Sequence, residues 1–412
     1  MADLKGFNIE KGKQGASILD NSEGVTALVV STPVPQGLEY QKPFVIYNCN
    51  DAKAKGITPE FDTTNNVNVY RHIYEYYRLA KEGNPLYIML VEQNKTITEM
   101  TELAKKLLVF AGGYASLLGI AVNLPANEVP IMLNGLPNNV IDGISKAQAL
   151  YQWSYDNNMP CQIFLEGYNY SGIASAVADL RGLTNLEADK VTVFIGQDYQ
   201  HAKGKTGLAK KYADIGTILG VASKALVHQN IGNNELFNIT DATKDTWLEP
   251  ALSSNVLNID CFSDLQTLEN KGFVFGINYT GLAGVRINND HVCAPIKMDA
   301  DKVINEHTVA YGRTMNKAVR KLRTAYLPKI KTDWFVDKAT GALSPATIVA
   351  LEDIGNKVFA QMIKEGNISY GKTIVDKNSD LLVQKTLFVS FVIVPKGTIG
   401  EIQGTINLKT QV

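Results

Sequence analysis

Short apolar runs alternate with longer amphipathic runs over the first two thirds of the chain. The apolar runs have the length and the Val/Ile/Leu content of buried strands. They are VTALVVS from residue 25, PFVIY (43–47), PLYIMLV (85–91), SLLGIAVN (116–123), MPCQIFLE (159–166) and VTVFIG (191–196). The intervening runs have the spacing of helices, and they are VNVYRHIYEYYRLAKEG (67–83) and residues 96–111, 138–156 and 172–182. Strands separated by helices of ten or more residues favour a mainly parallel sheet with helices on its faces. We therefore predict an α/β domain over residues 25–285.

The pattern changes after residue 285. A long helical pattern runs from residue 300 to about 326 and ends before Pro328, and a second occupies 345–365. The apolar run KTLFVSFVIV (385–394) then predicts a strand. Helices followed by strands are typical of a separate α+β unit, which we place at residues 286–394.

Both ends of the chain have the pattern of extended arms. Residues 1–24 contain four glycines and short apolar steps such as Phe7 and Ile9. In the last segment, 395–412, the residues on one side of an extended chain are Ile402, Gly404, Ile406 and Leu408, and polar residues alternate with them. Strict alternation predicts a half-buried strand. Such a strand needs a sheet, in this molecule or in another.

The composition excludes several classes of function. The 412 residues carry a formal net charge of −1, which gives no reason to expect nucleic acid as the main partner. Four cysteines stand far apart without a CxxC pair, which argues against a zinc site or a disulfide scaffold. The sequence has no signal-peptide pattern at its start and no run of 18 apolar residues. We expect a soluble protein of a reducing compartment that makes no membrane contact and binds no cofactor.

One loop carries candidate chemistry. Gly204-Lys205-Thr206 follows a strand, but a phosphate-binding loop would need glycine at position 199, where Tyr199 stands. A polar connection is therefore favoured over a nucleotide site. Asp198 and His201 lie in the same loop, at the edge where open α/β sheets bind ligands. They define an alternative interpretation, a cytosolic α/β enzyme with its site at this strand-end loop.

A basic run in the C-terminal part suggests a docking surface. Seven positive residues and no acid lie between Arg313 and Lys331. On one helical face they are Arg313, Lys317, Arg320 and Lys321. A solvated helix surface would explain them, but one-sign surfaces also align a complementary partner.

Four segments together resemble the contractile tail sheath proteins of phages and phage-like injection systems, in the compact form without large outer insertions. They are the glycine-spaced N-terminal arm that leads into GVTALVVSTP; NDAKAKGIT with the tyrosine-rich helix and NPLYIMLVEQ; ADIGTILGVASKALVHQNIG (213–232); and the C-terminal part from DKVINEHTVAYGRTMNKAVRKLRTAYL to VSFVIVPKGTIGEIQGTINL. The similarity spans nearly the whole chain.

The resemblance implies a structural, non-enzymatic subunit. Terminal arms (1–24 and 395–412) would add strands to sheets in neighbouring subunits, and hexameric rings would stack around an inner tube that contraction drives into a target cell. The resemblance places the C-terminal domain against the tube, with Arg313, Lys317, Arg320 and Lys321 as docking candidates. It also implies baseplate and terminator partners, and a place in a virion tail or phage-like particle assembled in the bacterial cytoplasm. A baseplate or tube protein is a further alternative, although tube proteins are shorter and β-rich.

Overall fold

A computed structural model describes residues 22–80, 83–338, 340–406 and 408. Its helices are α1 (Cys49–Ala54), α2 (Pro59–Asn65), α3 (Val69–Leu79), α4 (Ile97–Phe110), α5 (Asn138–Asp156), α6 (Tyr199–Lys203), α7 (Ile215–Lys224), α8 (Phe262–Asn270), α9 (Val309–Tyr326) and α10 (Pro345–Lys364). Its strands are β1 (Thr26–Ser31), β2 (Phe44–Ile46), β3 (Leu86–Val91), β4 (Leu117–Ala121), β5 (Met132–Leu133), β6 (Leu136–Pro137), β7 (Gln162–Glu166), β8 (Val191–Phe194), β9 (Gly196–Asp198), β10 (Pro250–Leu252), β11 (Val256–Leu257), β12 (Gly276–Tyr279), β13 (Leu282–Ile287), β14 (Ile368–Val375) and β15 (Val389–Pro395).

A six-stranded sheet in the order β2-β3-β1-β4-β7-β8 forms the centre of the larger part. All neighbouring strands are parallel except β2, which runs antiparallel to β3 at the edge. Every residue of β1 is buried, as expected for a parallel strand with both faces covered. Ala27 and Val29 face α4 and α5, whereas Leu28 and Val30 face α3 and α7. The predicted α/β class with a mainly parallel sheet is confirmed.

Helices α3 and α7 cross at backbone contact. A Cβ atom on Gly216 would overlap the main chain of His72, and one on Gly220 would lie 2.9 Å from the carbonyl oxygen of Tyr76. This close approach explains the small-residue helix noted in the sequence, because larger side chains would hold the two helices apart.

The C-terminal part pairs α9 and α10 with an antiparallel hairpin of β14 and β15. Its small core contains Phe359, Met362 and Leu322. Only one face of the hairpin packs on the helices; the outer face exposes apolar side chains, which are Tyr370, Ile374, Val392 and Val394. The smaller β-rich unit therefore exists, and the predicted boundary at residue 286 stays a prediction.

One predicted helix is absent, and another is shorter than predicted. Residues 172–182 form turns, because their backbone donors bind distant segments: Ala178 N donates to Asn134 O and Leu180 N to Lys271 O. The helix expected from residue 300 begins only at Val309, after Thr308 caps it by accepting from Tyr311 N. None of the described helices is long and apolar enough to cross a membrane.

Candidate functional site

The basic face of α9 rests on the amino-terminal edge of the central sheet. Arg313 Nη2 donates to Glu23 O and Ala225 O, each at 3.1 Å. Arg320 Nη1 donates to Gly113 O at 2.5 Å, while its Nη2 donates to Pro160 O at 2.5 Å and to Ala115 O at 3.2 Å. These five acceptors are main-chain carbonyls. We call the two arginines with these carbonyls the arginine clasp.

Burial lowers the pKa of Arg313 to about 10 and also lowers the pKa of Arg320, because both guanidinium groups lose solvent. Three further nitrogens, Nε and Nη1 of Arg313 and Nε of Arg320, have no hydrogen-bond partner among the described residues. The clasp thus holds one buried cation, Arg313, and one partly buried cation, Arg320, with carbonyl dipoles as the acceptors.

Lys317 and Lys321 bind the end of α10. Lys317 Nζ lies 2.9 Å from Glu365 Oε2, and Lys321 Nζ lies 3.5 Å from Glu365 Oε1. Burial opposes ionisation of Glu365, but the hydrogen bonds from Lys317 and Gln361 and the two lysine charges lower its pKa to about 2. The two lysines therefore join α9 to α10 within one chain.

The predicted docking face is thus not a free surface in the isolated chain. Arg313 and Lys317 are buried, and the sequence could not show this because the acceptors of Arg313 are backbone atoms of distant residues. Docking of a tube on these residues stays a prediction. The exposed members of the basic run are Arg323, Lys329 and Lys331, which make no ion pair with the described residues.

The C-terminal arm pairs with no strand in the described part of the chain. β15 ends at Pro395, and the described residues that follow form no helix or strand and leave Ile402, Ile406 and Leu408 84%, 99% and 103% exposed. The hairpin of β14 and β15 has no further described strand at either edge. An apolar, alternating segment and an open two-stranded sheet therefore coexist in one chain. The other strand candidates, Phe7 and Ile9, lie outside the described residues.

The alternative enzymatic site is occupied by contacts within the chain. Asp198 caps α6 by accepting from Gln200 N at 3.2 Å, and its other oxygen accepts from Arg71 Nη2 at 2.9 Å. His201 Nε2 lies 2.9 Å from Asn68 Oδ1. No hydrogen bond joins Asp198 to His201 in the described structure. Asp198 and His201 are each hydrogen-bonded to other residues of the chain.

Arg71 is the centre of a buried charge network that the sequence analysis missed. Its Nε donates to Asp214 at 2.9 Å, and Nη1 lies 3.4 Å from Glu75. Burial opposes the charge on Asp214, but Arg71 and the neighbouring His72 together hold the pKa of that carboxyl well below its usual range. Burial, with the positive charge of Arg71, lowers the pKa of His201. The signal in the sequence was an arginine inside the tyrosine-rich helix with a glutamate, Glu75, four residues later.

A cavity of about 340 Å³ lies beside this network. Its walls include Tyr70, Tyr74 and His201, and the two tyrosine rings are stacked with centroids 6.2 Å apart. Lys205, which also lines it, donates to the carbonyls of Asp62 and Val67. The GKT segment therefore uses its lysine to hold the backbone. No cluster of potential metal ligands is present among the described residues.

The chain matches two family models that together span most of its length. The model described as DUF2586, N-terminal domain, matches residues 6–291, and the DUF2586, C-terminal domain, matches residues 307–412. A search of curated protein sequences finds no significant match.

Two solved structures share the fold at low sequence identity. The anti-feeding prophage helical sheath in its contracted state has a TM-score of 0.60 at 14% identity, over 99% of both chains. A chain of the six-fold symmetrised baseplate of the same particle has a TM-score of 0.62 at 14% identity, over 100% of both chains. A sheath tail protein from Desulfitobacterium hafniense has a TM-score of 0.47 at 11% identity, over 95% of this chain and 100% of that one. The predicted resemblance to contractile tail sheath proteins is confirmed in the fold.

Proposed function

Because the chain belongs to the DUF2586 family and has the fold of the anti-feeding prophage sheath, we propose that it is a structural subunit of a contractile tail sheath. In this proposal the subunits polymerise by inter-subunit strand addition into stacked hexameric rings around an inner tube. Contraction of the rings drives the tube into a target cell. The subunit works in a virion tail or phage-like particle, is assembled in the bacterial cytoplasm and catalyses no reaction.

The open hairpin and the unpaired C-terminal arm carry this proposal. A strand of about nine residues adds about five backbone hydrogen bonds, each worth about 0.5–1.5 kcal/mol net. Ordering these residues costs roughly 1 kcal/mol or more apiece. Burial of Ile402, Ile406 and Leu408, at about 1.5–3 kcal/mol each, makes the exchange favourable. A polymer in which every subunit repeats the contact benefits most, since many weak links act together.

The proposed partners are further copies of this chain, an inner tube protein, a baseplate and a terminator. The helical sheath and the baseplate named for the two similar structures support the first and third. For the tube, we extend the docking candidates from the four predicted residues to the exposed neighbours Arg323, Lys329 and Lys331. Exposed charges can meet an acidic surface without first breaking contacts inside the subunit.

The docking proposal is tested by charge reversal. Replacing Arg323, Lys329 and Lys331 by Glu should reduce co-sedimentation of the sheath with its tube while the sheath still assembles alone. Undiminished co-sedimentation at physiological salt would refute this part.

Negative-stain electron microscopy of the purified chain tests the sheath proposal. We expect tubes or stacked rings from the full chain and only single folded particles after deletion of residues 396–412. A matched pair sharpens the result: Ile402→Ser with Ile406→Ser should abolish assembly, whereas Gln403→Ser with Thr405→Ser on the polar side should not. Polymers from the deletion variant would rule out the arm mechanism, and discrete particles from the full chain would contradict the sheath.

A further inference from the structure

The carboxyl ends of three helices, α4, α5 and α7, lie at the amino-terminal edge of the central sheet. Gly113 and Ala115 follow the end of α4, Pro160 follows α5, and Ala225 is the residue that caps the end of α7. In an α/β unit the helices run against the parallel strands, so their carboxyl ends lie where the strands begin. Four of the five clasp carbonyls come from these segments.

Carboxyl ends of helices carry partial negative charge and carbonyls without intrahelical partners. Cationic side chains placed there are attracted by this negative charge, and they donate hydrogen bonds to the free carbonyls. The edge is therefore an electronegative surface made of backbone. Arg320 binds it near the ends of α4 and α5, and Arg313 binds it at the end of α7.

The clasp also leaves α9 little freedom to roll or slide. Arg313 and Arg320 stand two turns apart on the helix, so they fix it at two points along its axis. Between them Tyr151 donates to Asn316 Oδ1 at 3.2 Å. At the start of the helix, a Cβ on Gly312 would lie only 2.6 Å from Gln162 Oε1, so the helix backbone lies directly against the side chain of the first residue of β7.

The contacts continue from α9 to the arm-bearing hairpin. Lys317 binds Glu365 at the end of α10, and α10 packs on the hairpin through Phe359 and Ile393. The direction of the hairpin relative to the sheet is thus set through α9. We propose that Arg313 and Arg320 are positioning residues that set the direction in which each subunit presents its hairpin and arm, and hence the helical twist of the polymer. This inference rests on the proposed sheath function.

The test compares Arg313→Met and Arg320→Met with Lys364→Met, which removes an exposed charge from α10. Hydrogen exchange of unassembled subunits should be about tenfold faster in α9 of the two clasp variants. Strands β1 and β4 should keep wild-type protection, and Lys364→Met should match wild type throughout. Polymers of the clasp variants should show a changed twist per ring by electron microscopy, or fail to elongate.

Wild-type exchange in α9 of both clasp variants, or wild-type twist in their polymers, would overturn the proposal. If a methionine variant does not fold, Arg320→Lys replaces it. The three donors of lysine start from one nitrogen, whereas Arg320 binds its carbonyls from two separate nitrogens, so exchange in α9 should still rise. Because exchange is measured before assembly, it reports on the clasp even if the wild-type chain forms no polymer, which would refute the sheath function instead.

Discussion

Truncation of Phe359 tests whether α10 holds the hairpin in shape for assembly. The ring is fully buried, lies 6.1 Å from the ring of Phe391 between centroids, and covers Gly371, where an added Cβ would lie 2.5 Å from the Phe359 ring. Phe359→Ala removes these contacts and leaves a void that Gly371 has no side chain to fill. Buried Phe→Ala changes cost about 3–5 kcal/mol, a large share of the stability of a domain.

Urea unfolding combined with hydrogen exchange locates the loss. We expect faster exchange in α10, β14 and β15 of Phe359→Ala, unchanged protection in β1 and β4, and fewer or no polymers. Phe335→Ala is the matched control, because Phe335 is 87% exposed and its truncation should change stability by about 0.5 kcal/mol or less. A Phe359→Ala chain that is as stable as the control, or that polymerises like wild type, would refute the reasoning.

Three further predictions concern the rest of the molecule. Gly216→Ala should destabilise the α/β part by about 1–3 kcal/mol or more, because the new methyl group would push α3 and α7 apart where they cross. Gly204→Ala should leave the stability unchanged, since the nearest atom to the added Cβ would be 3.4 Å away. Thermal unfolding of the two variants measures the difference. Burial raises the pKa of Glu166 from 4.5 to about 7, so its contribution to stability is full below pH 4.5 and is lost as the pH rises to 7. Denaturation at pH 5 and pH 8 should show a smaller pH dependence for Glu166→Gln. Glu365→Gln should cost about 1–3 kcal/mol in chemical denaturation, since it leaves a buried lysine without its charged partner, while Asp353→Asn in an exposed pair should cost about 0–1 kcal/mol. Equal effects of Glu365→Gln and Asp353→Asn would contradict the tie between α9 and α10.

The sequence predicts the central sheet well because its strands are short, apolar and separated by helices with clear ends. The same reasoning gives a wrong prediction for residues 172–182. Their apolar spacing imitates a helix, but Ala178 and Leu180 give their backbone donors to residues 134 and 271. Local pattern does not reveal such competition, since the acceptors are distant in the chain.

For the candidate site too, the local sequence pattern predicts some features, whereas contacts with residues distant in the chain are not visible in it. The alternation of Ile402, Ile406 and Leu408 indicates a strand but not which molecule supplies its sheet, and the described residues of that segment pair with no strand. The basic face of α9 is visible in the sequence as charge spacing alone. Whether Arg313 faces solvent or main-chain carbonyls depends on where the helix ends lie in the folded chain. The pattern of residue types along the sequence does not give those positions.

The use of main-chain acceptors has a consequence for sequence divergence in the clasp. Every amino acid supplies a carbonyl, so substitutions at Glu23, Ala115, Pro160 or Ala225 leave the acceptors in place wherever the backbone keeps its path. Gly113 is the exception, because its φ of 77° favours glycine. The donors have no such freedom, because only arginine offers a planar fork of this reach. The clasp therefore depends on the identity of two side chains, Arg313 and Arg320. The residues that supply the carbonyls can change in type wherever the backbone keeps its path.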